Sequence, residues 1–275
     1  MVKKVIKKSA VRSKADSCKD ISKDYLKTCV PGVDVLIRGP GIPQGSTVLV
    51  EGGPGSGKTI FCLTLLKEMC EKGKKVLYMS FEEREESLRK HIKMFGGNPE
   101  EYEKKGLLYV KRFNALDIAR SVEALLSEAK KELLIDVQPV LIPKDFQPDV
   151  VLIDSLTSIG SAFSGEENRF RIYMEQLFRY LESHHITSFL IREVSSPSHI
   201  GNNFNEQGEA VSFLSDGIIA IYNVFYDDGT RKRAMEIIKL RGMDIDRRII
   251  EIDIKGKQGF VAYPNKSIRG KYKLT

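Results

Sequence analysis

Three features of the sequence predict an α/β fold with a mostly parallel central sheet, flanked by helices and closed by C-terminal antiparallel hairpins. Short, continuous apolar runs at 47–50, 75–80, 150–153 and 186–191 have the pattern of strands buried on both faces. Between them, 60–69, 84–95, 116–134 and 168–182 read as helices laid against a sheet; 116–134 repeats its apolar residues every three or four positions. Beyond residue 216 the pattern changes. Segments 216–225 and 233–240 flank Asp227-Asp228-Gly229, and 248–254 with 259–263 form a second pair, as hairpins do.

The chain has 275 residues, 41% hydrophobic and 29% charged, enough for one large core and short for two. The predicted division is a basic flexible arm over 1–24, a single domain over 25–264 and a basic tail over 265–275. No run of 18 apolar residues occurs, and Met1-Val2-Lys3-Lys4-Val5-Ile6-Lys7-Lys8 lacks the apolar segment of a signal peptide, which predicts a cytoplasmic protein. The net charge of +7 sits at the ends: residues 1–28 hold nine Lys/Arg against three Asp, and 265–275 hold four against none. Residues 29–264 carry 31 basic and 34 acidic side chains, so the core has no electrostatic footprint for nucleic acid. The tails read either as solubilising arms or as contacts to nucleic acid or an anionic membrane. Cysteines at 18, 29, 62 and 70 form no C-x-x-C pair and are predicted to be reduced, structural thiols. His184 and His185 are neighbours at a helix end, point apart, and read as solvated rather than metal-binding.

In chain order, 31–45 is a Pro- and Gly-rich lead-in to the first core strand. That strand runs into Gly52-Gly53-Pro54-Gly55-Ser56-Gly57-Lys58-Thr59, a phosphate-binding loop between a buried strand and a helix. Small residues let successive backbone N–H groups turn toward anionic oxygens, and the helix N-terminus adds partial positive charge. Gly53, Pro54, Gly55, Ser56, Gly57, Lys58, Thr59 and Ile60 are the predicted nucleotide contacts. Lys58 is placed at the β- and γ-phosphates of ATP, and Thr59 on a Mg²⁺ ion.

The second strand ends in Phe81-Glu82-Glu83, where carboxylates face the crevice outside the strand ends. Glu82 is the predicted general base for an attacking water; Glu83 reads as its neighbour or as a charge favouring the following helix N-terminus. A short strand at 106–110, the helix at 116–134 and a Pro-broken stretch at 135–147 follow. The apolar run Val150-Val151-Leu152-Ile153 then delivers Asp154 at its tip, the second predicted Mg²⁺ ligand. Arg192-Glu193 stands at the tip of the strand 186–191 as a polar sensor of the phosphate, and 195–209 reads as a mobile loop.

Together these residues resemble the RecA-superfamily ATPases, and within them the single-domain relatives of the circadian clock protein KaiC. The resemblance covers roughly 30–264. It rests on the phosphate loop, Phe81-Glu82-Glu83, Ile153-Asp154-Ser155-Leu156-Thr157, Phe213-Leu214-Ser215-Asp216-Gly217 and Ile238-Lys239-Leu240-Arg241-Gly242, in that order. It implies a RecA-like P-loop NTPase fold, ATP hydrolysis in a ring, usually a hexamer, and nucleotide held at the boundary between subunits. It matches Glu82 to the water-activating glutamate, and Lys239 and Arg241 to a basic pair reaching the neighbouring subunit's γ-phosphate. Met243-Asp244-Ile245 departs from the family's usual Thr-x-His, and Ser212-Phe213 replaces the Ser-Thr pair that the clock protein phosphorylates, so self-phosphorylation is not supported. Three functions remain open: a regulatory ATPase coupled to a protein partner, a recombinase paralogue binding DNA through the basic tails, and an ATP-binding switch with little hydrolysis.

Overall fold

A computed structural model describes residues 23–120, 142–143, 145–163, 165–194 and 211–275. Most of the predicted N-terminal arm, the helix beyond residue 120, most of the stretch 135–147 and the loop 195–209 lie outside the described residues. A small antiparallel pair, β1 (Tyr25–Leu26) and β2 (Ile42–Pro43), precedes a ten-stranded sheet.

The parallel part of the sheet comprises β3 (Thr47–Gly52), β4 (Val76–Ser80), β5 (Leu108–Arg112), β6 (Val150–Asp154) and β7 (Thr187–Glu193), joined by β8 (Gly217–Tyr226). Antiparallel strands β9 (Arg231–Leu240), β10 (Ile250–Lys255) and β11 (Gly259–Ser267) extend it, so the order across the sheet is β11-β10-β9-β8-β3-β7-β6-β4-β5. From β3 the chain passes over the places of β7 and β6 to reach β4, and ligand crevices form where a sheet is wound in this way. The strands β3, β4 and β6 are buried at every position, as their apolar runs require, with Glu51 of β3 a buried charge among them.

Two layers cover the sheet. On one face, α1 (Lys58–Glu71) and α2 (Glu85–Met94) share a core with the β10–β11 hairpin, in which Phe61 meets Phe260 edge-on at 5.2 Å and Phe189 at 6.4 Å. The short α3 (Pro99–Lys104), capped by the Asn98 side chain, adds Tyr102 to that core. On the other face lie α4 (Leu156–Ala162) and α5 (Glu167–Ser183). Phe170, Tyr173, Met174, Leu177, Phe178 and Leu181 of α5 form the inward stripe expected of helical spacing.

Two expectations are corrected. Residues 272–274 are no free tail: β12 (Tyr272–Leu274) pairs with Val224–Tyr226 of β8, beyond the point where β3 turns away at Gly52, and β11 runs on to Ser267. Backbone pairing recruits these polar residues without an apolar pattern to announce it. Cys29 is disulfide-bonded, its partner lying outside the described residues, whereas Cys62 and Cys70 are free and buried. Disulfides follow spatial approach of the Cβ atoms, which spacing along a chain does not report.

Phe61→Ala is expected to lower unfolding free energy by about 3–5 kcal/mol, read by urea titration, while Val35→Ala, at a side chain 65% exposed, stays within about 0.5 kcal/mol.

Candidate functional site

Parallel register brings the strand tips level. Gly52 of β3 pairs with Glu193 of β7, and Ser80 of β4 with Asp154 of β6, so the loop, Glu193 and Asp154 share one edge. Gly52 stands where a Cβ would lie 2.1 Å from the Ile221 carbonyl oxygen, which excludes any side chain at the start of the loop. The loop then climbs through exposed Pro54 and Gly55 and re-enters at Gly57, whose φ of 114° suits glycine. Gly57 is the N-cap of α1 and supplies no side-chain cap, leaving the first N–H groups of a 14-residue helix directed at the loop's concavity.

Lys58 is 5% exposed, and its Nζ donates to the Gly52 and Gly53 carbonyl oxygens at 2.9 Å each and approaches Glu193 Oε1 at 3.4 Å. The Ser56 hydroxyl is buried without a hydrogen-bond partner among the described residues. Asn223 Nδ2 donates to the Pro54 carbonyl and Arg233 Nε to the Gly55 carbonyl, both at 3.2 Å, so β8 and β9 brace the apex. Ile60 is half-buried against the core below.

Thr59 Oγ1 donates to Asp154 Oδ2 at 3.1 Å, and the Tyr78 hydroxyl donates to the same oxygen at 2.8 Å. Burial raises the Asp154 carboxyl from 3.8 to about 6; the two hydrogen bonds pull it down, and the charges of Glu82 and Glu83 push it up again. A hydroxyl beside a desolvated carboxylate is a hard oxygen pair suited to Mg²⁺, which keeps several waters and takes one or two protein oxygens.

Glu82 is exposed at the end of β4, and its Oε1 accepts hydrogen bonds from Ser155 Oγ at 2.7 Å and Ser158 Oγ at 2.8 Å. Glu83 instead turns to His91 Nδ1 at 3.0 Å, tying the strand end to α2. The two acids thus diverge. Arg192 and Glu193, predicted at a strand tip, are the last two residues of β7 itself. His184 and His185 are exposed, and no group of three metal-ligating side chains forms among the described residues.

Lys239 and Arg241 stand elsewhere. Lys239 pairs with Ile218, and Ile218 with Leu49 of β3, so the cations lie two strands aside and level with the start of β3. That is three residues, roughly 10 Å along the strand, from Gly52. Lys239 Nζ donates to the Ser212 and Ser215 carbonyls at 3.1 and 2.6 Å; Arg241 donates to the Phe213 carbonyl at 2.7 Å and to Asp216 Oδ1 at 3.1 Å. Burial, then the Arg241 charge, lowers the Lys239 pKa.

With this geometry, residues 26–267 match the family model "ATPase: KaiC". The chain belongs to the KaiC ATPase family. UPF0273 protein PH0284 of Pyrococcus horikoshii is 30% identical over 90% of this chain and 97% of its own length. A UPF0273 protein of Aeropyrum pernix is 31% identical over 90% and 96%. Circadian clock protein KaiC3 of Synechocystis is 27% identical over 89% of this chain, which spans 46% of that longer protein. Among solved structures, the KaiC-like protein PH0186 of Pyrococcus horikoshii aligns with a TM-score of 0.67 at 27% identity, covering 87% of this chain and 99% of its own. This KaiC-family chain therefore has the nucleotide-binding RecA-type fold that its motifs imply.

Sequence reasoning missed Tyr78 as a partner of Asp154, and Ser155 and Ser158 as partners of Glu82. Tyr78 reads as a core aromatic, and only the pairing of β4 with β6 puts its hydroxyl on Asp154.

Because burial raises the Asp154 carboxyl from 3.8 to about 6, its contribution to stability is full below about pH 4 and lost as pH rises through 6. Above that, burying the carboxylate costs on the order of 3 kcal/mol without a cation. Asp154→Asn, whose Oδ1 can accept both hydrogen bonds, is expected to melt roughly 5–10 °C above the parent at pH 8 in EDTA. The gap closes near pH 4, and Mg²⁺ raises the melting temperature of the parent alone. Calorimetry across that range checks it.

Proposed function

We propose that this protein is a Mg²⁺-dependent ATPase that hydrolyses ATP at a site completed by a neighbouring copy, in a homo-oligomer with the hexameric ring form implied by its family. The observation that carries this reading is the position of Lys239 and Arg241, level with the far end of β3 and bound to residues 212–216 instead of to the chain's own phosphate loop. Two cations so placed serve a γ-phosphate only when another subunit presents one, and cations supplied in trans can contribute about 10³–10⁵ in rate.

In this reading Gly53 to Ile60 wrap the phosphates, and Lys58 leaves the Gly52 and Gly53 carbonyls to meet the β- and γ-oxygens. Thr59 and Asp154 hold Mg²⁺, which when bound neutralises phosphate charge. Glu82, oriented by two serine hydroxyls, accepts a proton from the attacking water, and Glu83 fixes the strand end through His91. The biological role is regulatory, coupling nucleotide state to a protein partner in the cytoplasm; no helix among the described residues is long and apolar enough to cross a membrane.

Glu82→Gln is expected to keep ATP binding while turnover falls at least about a hundredfold; unchanged turnover removes Glu82 from the mechanism. Steady-state ATPase activity per subunit should rise with protein concentration as copies assemble. A constant rate from a monomer contradicts the shared site, and negligible turnover in the assembled form supports a nucleotide-binding switch.

A further inference from the structure

The cations at 239 and 241 are held by the turn at 211–216, where Lys239 donates to the Ser212 and Ser215 carbonyls and Arg241 to the Phe213 carbonyl and the Asp216 carboxylate. A β-bulge with Ile238 as the extra residue lies beside Lys239. The turn is anchored at its ends by buried Val211 and by the Thr47–Asp216 hydrogen bonds. Its Ser212 hydroxyl accepts a hydrogen bond from Arg192 Nη2 at 2.8 Å. Arg192 is 7% exposed and is paired at 2.5 Å with Glu51, which is 1% exposed and is its register partner across β3 and β7.

A buried ion pair adds little net stability over apolar residues of the same size. Its oriented donors can nonetheless fix a neighbouring group, and here the group fixed is the hydroxyl of the residue whose carbonyl takes Lys239. We propose that Arg192, held by Glu51, is a positioning residue acting through Ser212: it sets the turn that presents Lys239 and Arg241 to the adjacent subunit's nucleotide. The inference rests on the shared site proposed above. Arg192 therefore acts on a site in another chain, although it stands one residue from Glu193, which meets its own chain's Lys58.

Mixed oligomers separate the two chains' roles. An acceptor carrying Lys239→Ala and Arg241→Ala keeps its loop, and a donor carrying Lys58→Ala keeps its cations; their mixture should regain ATP turnover that neither shows alone. Adding Ser212→Ala to the donor is expected to lower the kcat of the mixture about ten- to hundredfold, the scale of a misplaced reacting group, with KM for ATP within twofold. Ser212→Thr should restore it. The paired change Glu51→Gln with Arg192→Gln in the donor, which leaves no buried charge unpaired, should reproduce the loss. Placed in the acceptor, whose cations are already gone, Ser212→Ala should leave the mixture within twofold. Full turnover with the Ser212→Ala donor, or an equal loss from either placement, overturns the positioning role alone. Loss of assembly in sedimentation velocity overturns it too, since Ser212 would then hold the interface. A mixture of the unmodified donor and acceptor that stays inactive overturns the shared site and this inference together.

Discussion

Register across β3, β7, β6 and β4 is the constraint on which the rest depends. Because the pleat alternates faces, a slip of one residue in any of these strands would carry its tip to the other side of the sheet. The match of Gly52 with Glu193 and of Ser80 with Asp154 brings Lys58, Thr59 and Tyr78 within hydrogen-bonding reach of one edge. The two apolar layers that fix this register, around Phe61 and Phe260 on one face and around α5 on the other, contribute to function by holding four strand ends level.

Charge is distributed by the same logic. Asp154 is desolvated, while Glu82 is exposed and steered by neutral hydroxyls, so one acid suits a cation and the other stays accessible to water. The basic residues at 239 and 241 are occupied by carbonyl oxygens and one carboxylate of their own chain, at a distance from its own loop. In the proposed reading, a phosphate loop with its acids at one place and cations two strands aside is half a site twice over. Rotational repetition of the chain would join the halves, which is how heterologous contacts close into rings.

Much of this was legible in the sequence. Unbroken apolar runs ending in an acid or a glycine mark parallel strands whose tips carry chemistry, and glycine spacing before Lys58 marks the anion cradle. What stayed hidden depends on pairing between distant segments. Tyr78 resembles any core aromatic until β4 lies beside β6, and Arg192 reads as a polar sensor at a strand tip until β3 pairs with β7 and sets Glu51 beside it. Tyr272 to Leu274 carry no apolar pattern, because their place beside β8 is set by backbone hydrogen bonds. Position, not residue type, separates Glu82 from Glu83: the chain turns between them, one toward Ser155 and the other toward His91.

The central claim is that two chains build each site. A structure of the assembled protein with Mg²⁺ and a non-hydrolysable ATP analogue tests it most directly. The account places Lys239 Nζ and the Arg241 guanidinium within hydrogen-bonding distance of a γ-phosphate bound in the loop of the next copy. A γ-phosphate enclosed by one chain alone, with both cations still bound to the Ser212, Phe213 and Ser215 carbonyls, would contradict it.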